Sequence, residues 1–305
     1  MGTDRQGGSP GRGAVAGPAR TSPRRLSFEF FPPKTDRGRA NLLRTATRLL
    51  EAGGAATEFC SVTYGAGGST RTGTFEAVHA LREGGINAVP HLSWGADPAA
   101  AMRKFLARYR ELGVDRIVAL RGDIPSGVGP RSQVHHAVEL VRLIRESEDD
   151  RFQIEVAAYP EVHPDAPSPE ADLDYLKQKV DAGADGCITQ YFYHPESYFY
   201  FVDRCRTRGI DAPIVPGIMP ITNYDGLVRF SDACGAEIPR WIRLRLEAYR
   251  DDEASLAAFG TEVVTRLCQR LLDNGAPGLH FYTLNKAPPT LAIAGNLGLT
   301  REAET

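Results

Sequence analysis

The stretch LSFEFFPPK, residues 26–34, places one carboxylate inside an aromatic run that two prolines end. Such a run predicts a β-strand, because it is short and aromatic and because proline cannot donate to a continuing ladder. Side chains alternate between the two faces of a strand, so Phe28 and Phe30 share one face. Ser27 and Glu29 share the other. A solvated Glu29 would need an open sheet edge, whereas a buried one must be paired or neutral.

Composition and charge narrow the class of protein. The chain has 305 residues, of which 42% are hydrophobic and 24% charged, as in ordinary globular proteins. A net charge of -2 gives no reason to expect a nucleic-acid or membrane partner. The 5 cysteines form no CxxC pair, which predicts a reduced, cytoplasmic protein without a zinc site. Cys60 and Cys187 lie in apolar segments and are predicted to be core residues.

The two ends of the chain differ from its middle. Residues 1–24 are rich in Gly, Pro, Ser and Arg and lack the apolar segment of a signal peptide, which predicts a disordered tail. Residues 300–305 read as a short polar tail. Between them, residues 25–299 show no linker-like break in composition, so we expect one catalytic domain.

Strand-like and helix-like segments alternate along residues 25–299. Examples are EFCSVTYG before TGTFEAVHALREGG, and DGCITQYF before ESYFYFVDRCRTRG. About eight such units in roughly 250 residues predict an α/β fold of the TIM-barrel type, a (β/α)₈ barrel. The alternative is a doubly wound open sheet. It is disfavoured because GAGGST, the glycine-rich segment after the second strand, has the wrong spacing for a dinucleotide fingerprint.

Polar and aromatic side chains recur where the predicted strands end. In a barrel these ends form the catalytic mouth. A closed barrel also answers the opening question, because Glu29 then points inward near the mouth. A carboxyl group shielded from water is harder to ionise and is a candidate general acid. The residues at these ends are Glu29, Thr63, Tyr64, His91, Arg121, Gly122, Asp123, Tyr159, Glu161, His163, Gln190, Tyr191 and Tyr282.

Ordinary structural roles remain open for several residues. Asp123 could cap a turn, and His163 could be a plain loop histidine. Lys179 could be a solvated helix residue. The adjacent His135 and His136 would point about 100° apart on a helix, which makes them poor joint metal ligands. From the residues alone, the chain is a barrel enzyme with an inward acid and a polar, aromatic mouth.

Nine segments in order resemble the successive motifs of methylenetetrahydrofolate reductase, over residues from about 25 to 299. The resemblance implies a barrel that holds FAD, which takes hydride from NADH or NADPH and passes it to 5,10-methylenetetrahydrofolate. The product, 5-methyltetrahydrofolate, feeds methionine synthesis, and a homo-oligomer using NADH is expected. The motifs are FEFFPPK, SVTYGAGG, PHLS, IVALRGD, VAAYPEVHP, DLDYLKQKVDAGAD, ITQYFY, VPGIMPITN and HFYTLN.

The same resemblance assigns roles to individual residues. Glu29 matches the general acid that opens the folate ring, and Asp123 matches the carboxylate that stabilises the cationic iminium. Gln190 matches an amide that contacts both folate and nicotinamide. The implied substrate contacts are Thr63, Asp123, Gln190, Phe230, Tyr282 and Lys286. The implied FAD contacts are Thr63, Tyr64, Ala66, His91, Arg121, Gly122, Asp123, Ala137, Tyr159, His163, Ala166, Asp172 and Lys179.

The sequence departs from the family pattern at five positions. Tyr175 and Gln178 replace Asn and Arg beside the FAD diphosphate, and Gly226 replaces a Gln near the folate. Lys286 replaces an Arg, which keeps the charge but loses the planar fork. His136 stands where an aromatic hydroxyl is common. These departures bear on FAD affinity and on the orientation of the folate.

Two other functions compete with the reductase. One is another flavin barrel oxidoreductase, such as a proline dehydrogenase-like enzyme, which would need a site for an amino-acid carboxylate. The other is a non-catalytic flavin- or folate-binding protein. The presence of Glu29, Asp123 and Gln190 disfavours a pure binding protein, since it has no use for a shielded acid.

Overall fold

The computed structural model describes residues 25–64, 70–95, 98–121 and 135–301. Within these ranges it contains nine strands and ten helices of at least one α-helical turn. The strands are β1 Arg25–Phe30, β2 Thr57–Val62, β3 Ala88–Trp94, β4 Arg116–Arg121, β5 Gln153–Ala158, β6 Gly186–Thr189, β7 Ile214–Val215, β8 Gly217–Ile218 and β9 Gly278–Tyr282. The helices are α1 Asp36–Gly53, α2 Thr70–Glu83, α3 Ala99–Glu111, α4 Ala137–Glu148, α5 Pro169–Asp181, α6 Pro195–Thr207, α7 Tyr224–Cys234, α8 Arg240–Ala248, α9 Glu253–Asp273 and α10 Ala287–Asn296.

All strand pairs are parallel, and together they form a ring. The order is β7-β6-β5-β4-β3-β2-β1-β9-β8, so the first and last long strands, β1 and β9, are neighbours. β7 and β8 flank Pro216, with β7 paired to β6 and β8 paired to β9. They therefore share the seventh position of the ring. The predicted (β/α)₈ barrel is confirmed, with its seventh strand split in two and two extra helices, α8 and α9.

Side-chain alternation divides the core into two parts. Phe28 and Phe30 point outward and are buried beneath the surrounding helices. A second, smaller apolar cluster fills the barrel itself. Its members are Phe59 of β2, Val89 of β3, Val118 of β4 and Ile188 of β6. The outward face of β1 is thus apolar and the inward face polar, as the alternation predicts.

Local signals in the sequence fix where several helices begin. The hydroxyl of Thr35 accepts a hydrogen bond from Gly38 N at the start of α1. Ser168 does the same for Ala171 N, and Pro169 follows as the first residue of α5. Asn223 caps α7 through Gly226 N. Each cap satisfies a backbone N–H that the helix leaves unpaired.

A buried acid, Glu155, lies near the amino-terminal end of the barrel strands. Glu155 on β5 is 8% exposed, and its Oε1 accepts a hydrogen bond from Arg116 Nη1 at 3.2 Å. The guanidinium of Arg116 lies 4.6 Å from the ring centre of Phe59. A methyl group at Gly186 would approach Glu155 Oε2 to 2.3 Å, so this position has no room for a side chain. Burial raises the pKa of Glu155 to about 7 despite Arg116.

Replacing Glu155 with glutamine should stabilise the protein more at pH 8 than at pH 5. The folded protein keeps the carboxyl proton up to a pKa of about 7, against 4.5 ordinarily, so its stability falls as pH rises through that window. One pKa unit corresponds to about 1.4 kcal/mol, which makes the gain on the order of 3 kcal/mol. Urea denaturation at both pH values measures it, with the exposed Glu51→Gln as control. Equal stability changes at the two pH values would contradict the assignment.

Candidate active site

A cavity of about 560 Å³ opens at the carboxyl ends of the strands. Its size is typical of small-molecule sites, and its wall is largely apolar and aromatic. Met219, Cys234 and Leu284 lie in the wall without having been predicted. Nine of the residues predicted from the sequence line this cavity: Glu29, Thr63, Tyr64, His91, Tyr159, Gln190, Tyr191, Phe230 and Tyr282.

The carboxylate of Glu29 lies between two buried imidazoles. Its Oε2 is 3.4 Å from His91 Nε2 and 3.5 Å from His280 Nε2. The Glu29 side chain is only 14% exposed. Neither Nε2 atom makes a hydrogen bond to another described residue. The alternation along β1 therefore delivers an acid into a shielded pocket, as the sequence predicts.

His280 was not predicted, although its position in β9 gives the signal. In GLHFY, His280 and Tyr282 are two residues apart, so their side chains point to the same, inward face of β9. His280 is fully buried, and its Nδ1 lies 2.7 Å from Ser27 Oγ. Register pairs Ser27 with His280 and Glu29 with Tyr282. Ser27 thus orients the imidazole whose other nitrogen faces Glu29.

His91 is held in its neutral form. Burial is the main cause that lowers the pKa of His91 to about 4; Glu29 acts in the opposite direction, and His280 adds to the lowering. At neutral pH this imidazole therefore carries no charge beside the Glu29 carboxylate. A neutral ring can still exchange hydrogen bonds with a bound molecule or with the carboxyl group.

Tyr282 of β9 reaches past the split seventh strand, β7 and β8, to β6. Its hydroxyl donates to Thr189 O at 2.6 Å, and Thr189 Oγ1 accepts from Gly217 N at 2.9 Å. A methyl group at Gly217 would lie 2.6 Å from the Tyr282 ring and 2.1 Å from Thr189 O. Glycine is therefore required here for the tyrosine to cross the strand. Burial, with Glu29 nearby, raises the pKa of Tyr282.

Two further polar residues at the mouth are held by backbone groups. Gln190 Oε1 accepts from Tyr191 N at 3.0 Å, which fixes its amide against the cavity wall. Glu161 accepts from Glu237 N at 2.8 Å and lies 3.4 Å from Ser197 Oγ. Glu161 thus braces a loop and is absent from the cavity lining, unlike Glu29.

A polar network extends from the cavity along the loop after β5. Arg121 Nη2 binds Asp165 Oδ2 at 2.6 Å, and Asp165 N donates to His163 Nδ1 at 2.9 Å. His163 N donates to Asp172 Oδ2 at 2.9 Å. The His163 ring meets Tyr159, a cavity residue, edge to face at 4.5 Å. The structure therefore connects four predicted cofactor residues, Arg121, Tyr159, His163 and Asp172.

Lys179 is engaged by the barrel wall. Its Nζ donates to Ala157 O at 2.5 Å, near the carboxyl end of β5. Burial lowers the pKa of Lys179, while Cys187 and Asp172 act in the opposite direction. The ammonium group retains further N–H donors, so this contact does not exhaust it.

The remaining predicted residues lie away from the cavity lining or outside the described ranges. Ala137 is the first residue of α4, and the preceding residue, His136, caps that helix. Ala166 N bonds His163 O in the loop after β5, and Lys286 precedes α10. Ala66, Gly122 and Asp123 lie outside the described residues.

Predictions from the sequence also concern the cysteines and the possible metal ligands. Cys60 and Cys187 are buried, and burial raises the pKa of both thiols, to about 12 for Cys187. Both are core residues, as predicted. No group of three or more His, Cys, Asp or Glu side chains within the described ranges could hold a metal ion. Among the described helices, none has the length and apolarity that crossing a membrane requires.

Fold and site together define a (β/α)₈-barrel protein with a shielded carboxylate at the mouth of the barrel. Residues 18–298 match the family model described as methylenetetrahydrofolate reductase. The chain belongs to this family. The family resemblance drawn from the nine motifs is therefore confirmed.

Three known proteins illustrate the relationship. A rice protein described as a probable methylenetetrahydrofolate reductase (NADH) is 42% identical over 92% of this chain and 49% of its own length. The 5,10-methylenetetrahydrofolate reductase of Salmonella typhimurium is 40% identical over 90% of both chains. This chain thus spans about half the length of the plant relatives it matches. A Clostridium thermocellum structure with 15% identity and a TM-score of 0.63 covers 90% of this chain and 95% of its own, which supports the fold.

Replacing Ser27 with alanine should lower the free energy of unfolding by roughly 1–3 kcal/mol, because the buried His280 Nδ1 loses its partner. Urea denaturation measures the change. Ser61→Ala is the matched control, since Ser61 is also buried, on β2, and its hydroxyl bonds no described residue. Equal losses in the two variants would show that the contact between Ser27 and His280 contributes nothing specific.

Proposed function

We propose that the protein reduces 5,10-methylenetetrahydrofolate to 5-methyltetrahydrofolate with electrons from a reduced nicotinamide nucleotide. The observation that carries this proposal is the Glu29 carboxylate, shielded at the mouth of the barrel between His91 and His280. Membership of the reductase family supports the reaction class. NADH is the proposed donor, since the rice relative is described with NADH.

Glu29 fits the one step of this reaction that needs a proton. The five-membered ring of the folate must open to an iminium before its methylene carbon can accept hydride. Opening requires a proton on the departing nitrogen, and Glu29 in its protonated form would deliver it. The adjacent His280, oriented by Ser27, would hold the carboxyl group toward the substrate.

Asp123 is proposed to stabilise the iminium. The sequence places it two residues after Arg121, the last residue of β4. A fixed carboxylate near a developing cation lowers the barrier to its formation. Gln190 and Phe230 line the cavity that also contains Glu29 and are proposed substrate contacts. Lys286 would supply charge just before α10.

FAD is the proposed cofactor, and the donor set fits it. A largely apolar cavity with aromatic walls suits a flavin ring, and the connected network of Arg121, His163 and Asp172 suits a polar chain. When bound, FAD would carry hydride from nicotinamide to folate. Thr63, Tyr64, His91 and Tyr159 would contact it inside the cavity, and Lys179 would supply positive charge beyond it. Ala66, Gly122, Ala137 and Ala166 complete the proposed contacts.

The absorbance spectrum of the purified protein tests this function. We expect a flavin spectrum that bleaches anaerobically with NADH and returns on addition of 5,10-methylenetetrahydrofolate. Bleaching without return by folate would favour another flavin barrel oxidoreductase. A flavin or folate complex that NADH leaves unchanged would favour a non-catalytic binding protein.

Glu29→Gln should slow folate reduction by on the order of 10²–10⁴-fold while leaving flavin reduction by NADH nearly unchanged. Only ring opening needs the proton that glutamine cannot supply. Stopped-flow absorbance measures the two half-reactions separately. Glu161→Gln is the control, because this nearby carboxylate bonds Glu237 N and stays off the cavity lining. Equal slowing of both half-reactions in Glu29→Gln would exclude the general-acid role.

Gln178→Arg should tighten FAD binding about tenfold or more, by adding a cation beside the proposed diphosphate site on α5. Arg121 is already paired with Asp165 and Lys179 with Ala157 O, so the site can use another positive charge. A charge-assisted hydrogen bond contributes roughly 1.5–3 kcal/mol. Titration of apoprotein measures the affinity, with Gln269→Arg on the outer helix α9 as control. An unchanged or weaker affinity, or an equal gain in the control, would contradict this site.

A further inference from the structure

The turn after β9 contains two consecutive non-glycine residues in the left-handed region. Leu284 has a φ of 50° and Asn285 a φ of 59°. Asparagine tolerates this conformation, but for leucine it is unfavourable, and such strain persists only where surrounding contacts enforce it. Leu284 also lines the cavity. The contacts that hold this turn therefore bear on the site.

Those contacts continue the β1–β9 pairing through one backbone bond, from Thr283 N to Glu29 O at 3.2 Å, and otherwise through side chains. The backbone register between the two strands ends with Glu29 opposite Tyr282. Beyond it, Thr283 Oγ1 donates to Glu29 O at 2.6 Å. Asn285 Oδ1 accepts from Phe31 N at 2.8 Å, and Asn285 Nδ2 donates to Phe31 O at 3.0 Å. One amide group thus satisfies both backbone polar groups of Phe31.

This arrangement holds the backbone of β1 at Glu29 and just beyond it. Thr283 fixes the carbonyl of Glu29, and Asn285 fixes the residue two positions later, just before Pro32 and Pro33 turn the strand away. Asn285 N in turn bonds Thr283 Oγ1 at 3.1 Å, so the two side chains act as one unit. On the β2 side the backbone pairing of β1 continues through Phe30 and Val62. On the β9 side the backbone pairing ends with the bond from Thr283 N to Glu29 O, so this unit supplies the further contacts that hold β1 there.

We propose that Asn285 is a positioning residue for Glu29, acting through its paired hydrogen bonds to the Phe31 backbone. This inference rests on the proposed function, since it assigns Glu29 the general-acid role. A displacement of about 1 Å at a reacting group can cost on the order of a hundredfold in rate. Removing the amide should therefore slow the folate half-reaction and leave the nicotinamide half-reaction nearly unchanged.

The test compares three variants of the FAD-bound protein. Asn285→Gly accepts the left-handed backbone but loses both bonds, and it should slow folate reduction tenfold or more with less than a twofold change in flavin reduction. Asn285→Asp keeps the acceptor for Phe31 N and should recover part of the rate. Asn296→Gly, on the exposed end of α10, is the control for general destabilisation and should change neither half-reaction.

An independent readout follows the amide of Phe31 without any turnover. Labelling the 13 phenylalanines with nitrogen-15 gives few enough amide signals to assign Phe31 by its loss in Phe31→Leu. Protection of this amide from hydrogen exchange should fall in Asn285→Gly and persist in Asn285→Asp. Lost protection with an unchanged folate rate would overturn the positioning role. Failure of the wild-type protein to reduce folate would instead overturn the proposed function.

Discussion

The parallel pairing of β1 with β9 is the interaction on which the site depends. It joins residues more than 250 positions apart in sequence and places Ser27 opposite His280 and Glu29 opposite Tyr282. Because successive side chains point to opposite faces, the same register sends Phe28 and Phe281 outward, where their rings stack at 6.2 Å. One pairing thus supports the outer core and assembles the inner acid pocket.

Much of this was predictable from local pattern. The alternation in LSFEFF predicts which residues of β1 face inward. The repetition of strand and helix predicts a closed barrel, and in a closed barrel the inward-facing side chains are buried. Nine of the predicted residues line one cavity, since parallel strands end at the same edge. The disordered tail, the cytoplasmic location, the homo-oligomer and the link to methionine synthesis stay predictions.

What sequence reasoning missed depends on register and on distant contacts. Alternation along β9 predicts that His280 faces inward. Only the register of β1 and β9 shows that His280 and His91 both lie near the same oxygen of Glu29. Asn285 resembles an ordinary turn residue until the structure shows its amide on Phe31. Arg121 and Lys179 stay predicted as cations for the cofactor, and the sequence did not show that they also bind Asp165 and Ala157 O. Such competition between nearby partners is not encoded in the spacing of a motif.

Pro216 divides the seventh strand, and the division decides where the barrel is weakest. Proline supplies no N–H, so the wall between β6 and β9 relies on Pro216 O, the Thr189 side chain and the Tyr282 hydroxyl in place of a continuous ladder. Local opening follows the sparsest hydrogen bonding. Amide exchange in the native protein should therefore be faster along this seam than along the pairing of β1 with β9. Opening of the barrel at the seam would admit solvent to the cavity past Met219 and beside Tyr282, the residue that is paired with Glu29.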